Sequence, residues 1–436
     1  MVTSKQRPNI LFLCPDQHRP DWRGTNAALP VRTPHLDALA RRGVTFPRAI
    51  TPSPICAPAR ACLAAGRSYH RCGVPNNDHD YPLDQPTYYM ALRDAGYHVA
   101  GVGKFDLHKK TLDWGVDGSR CLDAWGFSAG IDNEGKHDAL KNGVTEPKGP
   151  YMAYLHAAGL AAMHAQDFLH RHNYTDTYPT PLPDAAYCDN WVAENGLRLL
   201  QGFPADRPWH LQVNFTGPHE PMDVMENMQT RWRDVGFPPP HANDQWDAET
   251  HQRIRQNYAA MIENIDRHVG HLLEVVTARG QQENTVVIYS SDHGEMLGDH
   301  NRWAKSTWYQ PSVGVPLTVA GPGVRHDVTS DALVSLHDLA ATMLDYAGLA
   351  PLPGMDSRSF RPALEGQAET HRSFLVSALA DWRMIADGRY KLILTEREPP
   401  RLFDLREDPW EDRDIADTTP AVVDRLRQLL AEAYAQ

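Results

Sequence analysis

The chain has 436 residues, 55 acidic against 43 basic, and the resulting net charge of −12 offers no electrostatic basis for gripping nucleic-acid phosphates. Its 42% hydrophobic and 22% charged residues are those of a folded globular protein, long enough for one large and one small domain. Six cysteines without a C-x-x-C pair argue against a disulfide scaffold or a zinc ribbon; the first residues carry no apolar leader and no segment reaches membrane-spanning length, so a cytoplasmic location without a membrane partner is expected.

The first element is the apolar run from Asn9 to Cys14, closed by Pro15, which suits a strand buried on both faces of a parallel sheet. Asp16 and Gln17 follow at its C-terminal end, the edge where open α/β sheets bind ligands. Two oxygen-bearing side chains there read either as a hard-cation site or as a turn and helix cap. A helix is predicted from Pro34 to near Gly43. Next, Pro54 and Pro58 bracket Cys56, and Ala61 to Ala65 favour a helix that ends at Gly66. A helix N-terminus with Arg60 close by attracts anions and lowers a thiol pKa. Taken alone, Cys56 reads as a reactive thiol or as a small buried hydrophobe.

Beyond a turn-rich loop containing Asn77, a strand is predicted up to Gly103 that delivers Lys104, followed by Asp106 and His108. Residues 113–207 are rich in His, Tyr, Trp, Pro and Asn, with one amphipathic run near 189–200; they read as long insertions over a scaffold. Trp209 to Phe215 is the next strand and leads to His219, set between Pro218 and Pro221. The spacing of Tyr258, Met261, Ile262, Ile265, Val269, Leu272 and Val276 predicts a packed helix with His268 and His271 on its solvent face. Thr285 to Ser291 is the clearest β run, and Asp292 and His293 stand at its end. Together with Asp16 and Gln17 they supply oxygens and one nitrogen from two strand ends, a donor set for a single divalent ion. Lys305 lies downstream, and Trp303, Trp308 and Tyr309 near it read equally as pocket walls or as core. Pro and Gly cluster around 351–366, which predicts a catalytic domain over 1–360 and a C-terminal α+β subdomain over 361–436. In the latter, Asp387-Gly388-Arg389 between two apolar runs is a hairpin signal, and a helix closes the chain from Pro420.

Cys56-Ala57-Pro58-Ala59-Arg60 resembles the C-x-P-x-R core of the type I, formylglycine-dependent sulfatases of the alkaline phosphatase superfamily, and Leu63-Ala64-Ala65-Gly66-Arg67 resembles the second half of that signature. The segments around Lys104, His219, Asp292 and Lys305 resemble further parts of that family in the same order. The resemblance implies an α/β fold, an alkaline-phosphatase-like large mixed sheet flanked by helices with a small C-terminal antiparallel-sheet subdomain. It implies that a maturation enzyme converts Cys56 to formylglycine, whose hydrated aldehyde attacks sulfur. In the same reading Arg60, Lys104 and Lys305 neutralise a tetrahedral anion, His219 protonates the leaving alcohol, and Asn77 holds an oxygen of the anion or of the leaving group.

The implied metal is one calcium ion held by Asp16, Gln17, Asp292 and His293. Manganese is the alternative, because the Gln17 and His293 combination also resembles phosphonate monoester hydrolases. One position departs from the family: the histidine that follows the lysine is replaced by Asp106, so the base that takes the spare hydroxyl's proton is Asp106 or His108. The reaction so implied is hydrolysis of a small anionic sulfate ester by an enzyme that could form homo-oligomers. The alternatives are phosphonate monoester or phosphodiester hydrolysis with the same nucleophile, an anion-binding protein on an enzyme scaffold, and a thiol hydrolase using unmodified Cys56. Fold alone does not separate these.

Overall fold

The computed structural model describes residues 7–435; residues 1–6, part of the N-terminal stretch read for a leader, lie outside the described residues, as does residue 436. Eight strands build the main sheet: β1 (Asn9–Asp16), β2 (Gly43–Thr45), β3 (His98–Gly103), β4 (Ala129–Asp132), β5 (Trp209–Pro218), β6 (Thr285–Ser290), β7 (Leu317–Ala320) and β8 (Val328–Thr329). Their order across the sheet is β4-β3-β5-β1-β6-β7-β2-β8. The five strands from β4 to β6 run parallel, and β7 turns antiparallel to β6 and β2.

The alternation along β1 shows why this sheet forms. Ile10, Phe12 and Cys14 enter one hydrophobic cluster while Leu11 and Leu13 enter the cluster on the opposite face, so the strand is dry on both sides. Helices cover both faces. The longest, Ala248–Ala278, buries Tyr258, Ile262, Ile265, Val269 and Leu272 at the predicted helical spacing. His268 departs from its predicted solvent position. It is buried, with Nε2 2.7 Å from Asn190 Oδ1, because the helix Cys188–Gln201 packs over the side of the long helix that periodicity assigned to water.

Residues 113–207 also differ from expectation. They carry the helices Gly135–Asn142, Pro150–Ala157, Ala161–His170 and Cys188–Gln201, and they contribute β4, an edge strand of the main sheet. The helices are short and punctuated by Gly and Pro, so no single window shows a long periodic pattern.

A second sheet of four antiparallel strands, β9 (Leu375–Leu379), β10 (Trp382–Ala386), β11 (Tyr390–Thr395) and β12 (Arg401–Asp404), is ordered β12-β11-β10-β9. Asp387-Gly388-Arg389 does form the hairpin turn between β10 and β11, with Gly388 at φ 91°. One face of this sheet packs Met384, Ile393 and Phe403 against Ile50, Val313 and Leu333 of the larger part. The other is covered by the closing helix Pro420–Ala435 through Val423, Leu426 and Leu430. Among the described residues, no helix is long and apolar enough to cross a membrane.

Because β3, β5, β1 and β6 are parallel neighbours, their C-terminal ends lie along one edge. Lys104, His219, Asp16 and Asp292 therefore meet there, and Gln17 touches Asp292 across a separation of 275 residues in the chain.

Candidate active site

The helix Cys56–Ala65 points its N-terminus at this edge and ends at Gly66, whose φ of 61° is the left-handed cap conformation that glycine adopts without strain. Cys56 is its first residue and is buried. Its Sγ lies 3.3 Å from His293 Nε2, 3.8 Å from Lys104 Nζ and 3.9 Å from Asp16 Oδ1. Burial and the Asp16 carboxylate push the thiol up, yet Lys104, Lys305 and His293 together outweigh them and hold it well below the usual thiol range.

Arg60, one turn along the helix, does not face a substrate. Its Nε donates to Asp292 Oδ2 at 3.0 Å, Nη2 to Asp16 Oδ2 at 3.2 Å and Nη1 to the Lys104 carbonyl at 2.6 Å. It locks the two carboxylates in place from behind. Lys104 reaches Asp16 Oδ2 at 2.6 Å and Asp106 Oδ2 at 3.2 Å; burial disfavours its charge, but Asp106 and Asp16 keep it cationic.

The donor atoms of Asp16, Asp292, His293 and Cys56 all lie within 4.8 Å of one another. His293 Nδ1 is 3.1 Å from the Gly294 carbonyl, which can only accept, so Nδ1 carries a hydrogen and Nε2, the nitrogen a metal ligand must present deprotonated, faces the cluster. Two carboxylates and an inward imidazole nitrogen, all buried, fit a divalent cation once that nitrogen is deprotonated. Gln17 is placed differently from the sequence expectation. Its backbone N–H donates to Asp292 Oδ1 at 3.0 Å, while its side-chain Oε1 accepts from Lys305 Nζ and its Nε2 donates to Glu220 and Glu295. It braces Lys305 at the rim of the cluster.

Lys305 Nζ also lies 2.5 Å from His219 Nε2, and His219 Nδ1 donates to the Glu220 carbonyl at 2.7 Å. Glu220 and Glu295 share a second partner, the Tyr174 hydroxyl, at 3.2 and 3.0 Å. Burial and the charge of Glu220 raise the Glu295 carboxyl to about 7, whereas His219 and Lys305 overcome burial to keep Glu220 ionised. Sequence reasoning did not select Glu220, Glu295 or Tyr174. The first two adjoin His219 and His293 in the chain, a proximity signal, but Tyr174 comes from residues 113–207, where no strand end marked it.

Asp106 and His108, the alternative bases, separate in space. Asp106 is beside Lys104 and Lys109, with Oδ1 buried and unpartnered. His108 stacks on Trp125 at 5.2 Å, lies 5.6 Å from Trp114 and faces Asp132, with neither ring nitrogen hydrogen-bonded. The structure therefore does not bring His108 into the Cys56 cluster. Asn77 reaches the site but through a backbone contact, accepting the Ala57 N–H at 3.0 Å. Trp303 and Trp308 are packing residues, Trp303 against Trp246 and Trp308 against Trp382, while Tyr309 stacks on His300.

A cavity of about 300 Å³ opens over Lys104 and His219, and Asn77, Lys136, His137 and Asn173 are among its walls. Polar and charged residues build its walls.

The sequence matches the family model described as Sulfatase over residues 8–349. The chain belongs to the sulfatase family. A second model, N-sulphoglucosamine sulphohydrolase, C-terminal, matches residues 298–436 of this sulfatase. It is 28% identical to a choline-sulfatase of Rhizobium meliloti over 98% of this chain and 85% of the relative. It is 24% identical to an arylsulfatase of Clostridium perfringens over 97% of this chain and 94% of the relative. Among solved structures, the phosphonate monoester hydrolase of Agrobacterium radiobacter superposes with a TM-score of 0.83 at 23% identity, covering 99% of this chain and 96% of that one, a likeness of fold. The sulfatase is accordingly an enzyme that hydrolyses sulfate esters, built on the α/β fold of the alkaline phosphatase superfamily.

Proposed function

We propose that Cys56, converted to formylglycine, is the nucleophile of this sulfatase and that one divalent cation at Asp16, Asp292 and His293 completes the site. The observation that carries this reading is the position of Cys56 Sγ, within 3.9 Å of a carboxylate, an imidazole nitrogen and a lysine ammonium at a helix N-terminus. Sγ marks the place that a hydroxyl oxygen of the hydrated aldehyde takes. When present, the modified residue supplies the attacking hydroxyl and the cation supplies Lewis acidity toward it and toward a sulfate oxygen.

The chain's own residues do the rest. Lys104 and Lys305 flank the Cys56 position and balance the charge on the transferring sulfuryl oxygens, while Arg60 fixes Asp16 and Asp292. The proton between Lys305 Nζ and His219 Nε2 is the one delivered to the leaving alcohol, and Glu220 O orients the imidazole through Nδ1. Asp106, whose free Oδ1 is buried beside Lys104, is the base for the spare hydroxyl's proton. The inward imidazole moves the metal preference from calcium towards manganese. The polar cavity suits an alcohol half that is small and hydroxyl-bearing.

The imidazole in the donor set also favours one second reading, phosphonate monoester or phosphodiester hydrolysis with the same nucleophile. The experiment compares an aryl sulfate, an aryl phosphonate monoester and a phosphodiester, using protein co-expressed with a formylglycine-generating enzyme. Sulfate turnover that disappears in Cys56→Ala supports the first reading; higher kcat/KM on the phosphorus esters supports the second.

A further inference from the structure

Two histidines and an aspartate meet at the surface as a donor group separate from the Cys56 cluster. We propose that His241, His300 and Asp412 form a second metal site, for a divalent transition ion such as zinc, that ties the loop leading to Lys305 to the C-terminal part of the chain.

The donor atoms of these three residues lie within 4.8 Å of one another. His241 Nε2 is 2.9 and 3.0 Å from the two Asp412 oxygens, and His300 Nδ1 is 4.0 Å from Asp412 Oδ1. Both rings are held by stacking, His241 on Trp410 with centroids 4.4 Å apart and His300 on Tyr309 at 4.3 Å, each within 15° of parallel. His300 Nε2 is 2.8 Å from the Trp410 carbonyl, so Nε2 carries the hydrogen and Nδ1 offers its lone pair towards Asp412. An outer hydrogen bond of this kind, from the non-ligating nitrogen to a carbonyl, accompanies most metal-bound histidines.

The backbone is committed to the same arrangement. His300 has φ 56°, a left-handed conformation that costs a non-glycine residue energy, and its N–H donates to the His241 carbonyl at 2.9 Å. His241 N–H in turn donates to Asp299 Oδ1 at 2.8 Å. Two imidazoles with one carboxylate select zinc and its first-row neighbours over calcium or magnesium, and three protein ligands leave a position for water. The loop that carries His300 is folded back on Glu295, whose Oε1 accepts from Leu297 N and Ala304 N just before Lys305. Asp412 lies after β12. An ion at this point therefore joins the Lys305 loop to the C-terminal part.

The test is metal titration of the chelator-stripped full-length protein with Co²⁺, followed by absorbance and by competition with Zn²⁺. Asp412→Asn and His241→Gln are expected to bind one equivalent fewer than the wild type, and added Zn²⁺ is expected to raise the unfolding midpoint of the wild type further than that of either variant, which keeps only the Cys56 cluster. Measuring the midpoint in chelator first shows whether each variant folds, and either variant alone suffices. Unchanged stoichiometry in a folded variant, or an equal Zn²⁺ shift in both proteins, would overturn the proposal and leave His241 and Asp412 as a plain ion pair.

Discussion

The side-chain oxygen of Asn77 accepts the Ala57 N–H at 3.0 Å and so caps, from a separate loop, the helix that begins at Cys56. Ile55 occupies the N-cap position and has no side-chain acceptor of its own. Asn77→Ala removes this cap and is expected to cost about 1 kcal/mol, the usual loss for an N-cap acceptor. Urea unfolding measures it directly, and Asn77→Asp, which keeps the acceptor, is expected to retain most of the midpoint. Equal midpoints for Asn77→Ala and the wild type would remove the capping role.

Arg60 supports the centre without entering it. Arg60→Met leaves two buried carboxylates without their shared partner, and the expected destabilisation is about 3–5 kcal/mol, as for other broken buried pairs. Arg60→Lys keeps the charge but cannot bridge both carboxylates with a planar fork. It is expected to fold at a lower midpoint and to bind the divalent ion more weakly, with KM for substrate little changed. A large KM effect with unchanged metal affinity would instead place Arg60 on the substrate.

Glu134 gives stability a defined pH dependence. Its carboxylate accepts from Met152 N at 2.8 Å at the start of the helix Pro150–Ala157, but burial, the largest influence, raises it from 4.5 to about 7. The folded state thus holds this proton more tightly than the unfolded state, and the stabilisation is complete below pH 4.5 and is lost as pH rises through about 7. Glu134→Gln keeps the acceptor without the charge. Its stability is expected to fall less between pH 5 and 7 than that of the wild type in denaturant titrations; parallel curves would contradict the assignment.

What the sequence made legible followed the strand ends. Asp16, Lys104, His219 and Asp292 each follow a short apolar run, and a parallel sheet must bring such positions to one edge. Cys56 and Arg60 were legible because two prolines and an alanine-rich run dictate where the helix starts. Pair contacts that cross the fold were not legible. Nothing local states that the Gln17 amide turns to Lys305, that Tyr174 bridges Glu220 and Glu295, or that His108 packs on Trp125 and Trp114 and not in the Cys56 cluster. His268 shows the same limit, since periodicity identifies the apolar stripe of a helix but not a second helix covering its polar side.

The proposed metal at Asp16, Asp292 and His293 predicts a specific loss and recovery. Chelation is expected to abolish turnover, and manganese is expected to restore more of it than calcium because His293 Nε2 faces the cluster. His293→Asp, with an all-oxygen donor set, is expected to shift the preference back towards calcium. Full activity after exhaustive chelation, with metal content verified by elemental analysis, would contradict a metal at this position.

The central claim concerns Cys56 itself, and peptide mass spectrometry combined with turnover of an aryl sulfate tests it most directly. Protein co-expressed with a formylglycine-generating enzyme is predicted to carry the aldehyde at Cys56, with turnover proportional to the fraction converted and falling to background in Cys56→Ala. Undiminished hydrolysis by protein whose Cys56 is wholly an unmodified thiol, or by Cys56→Ala, would contradict it.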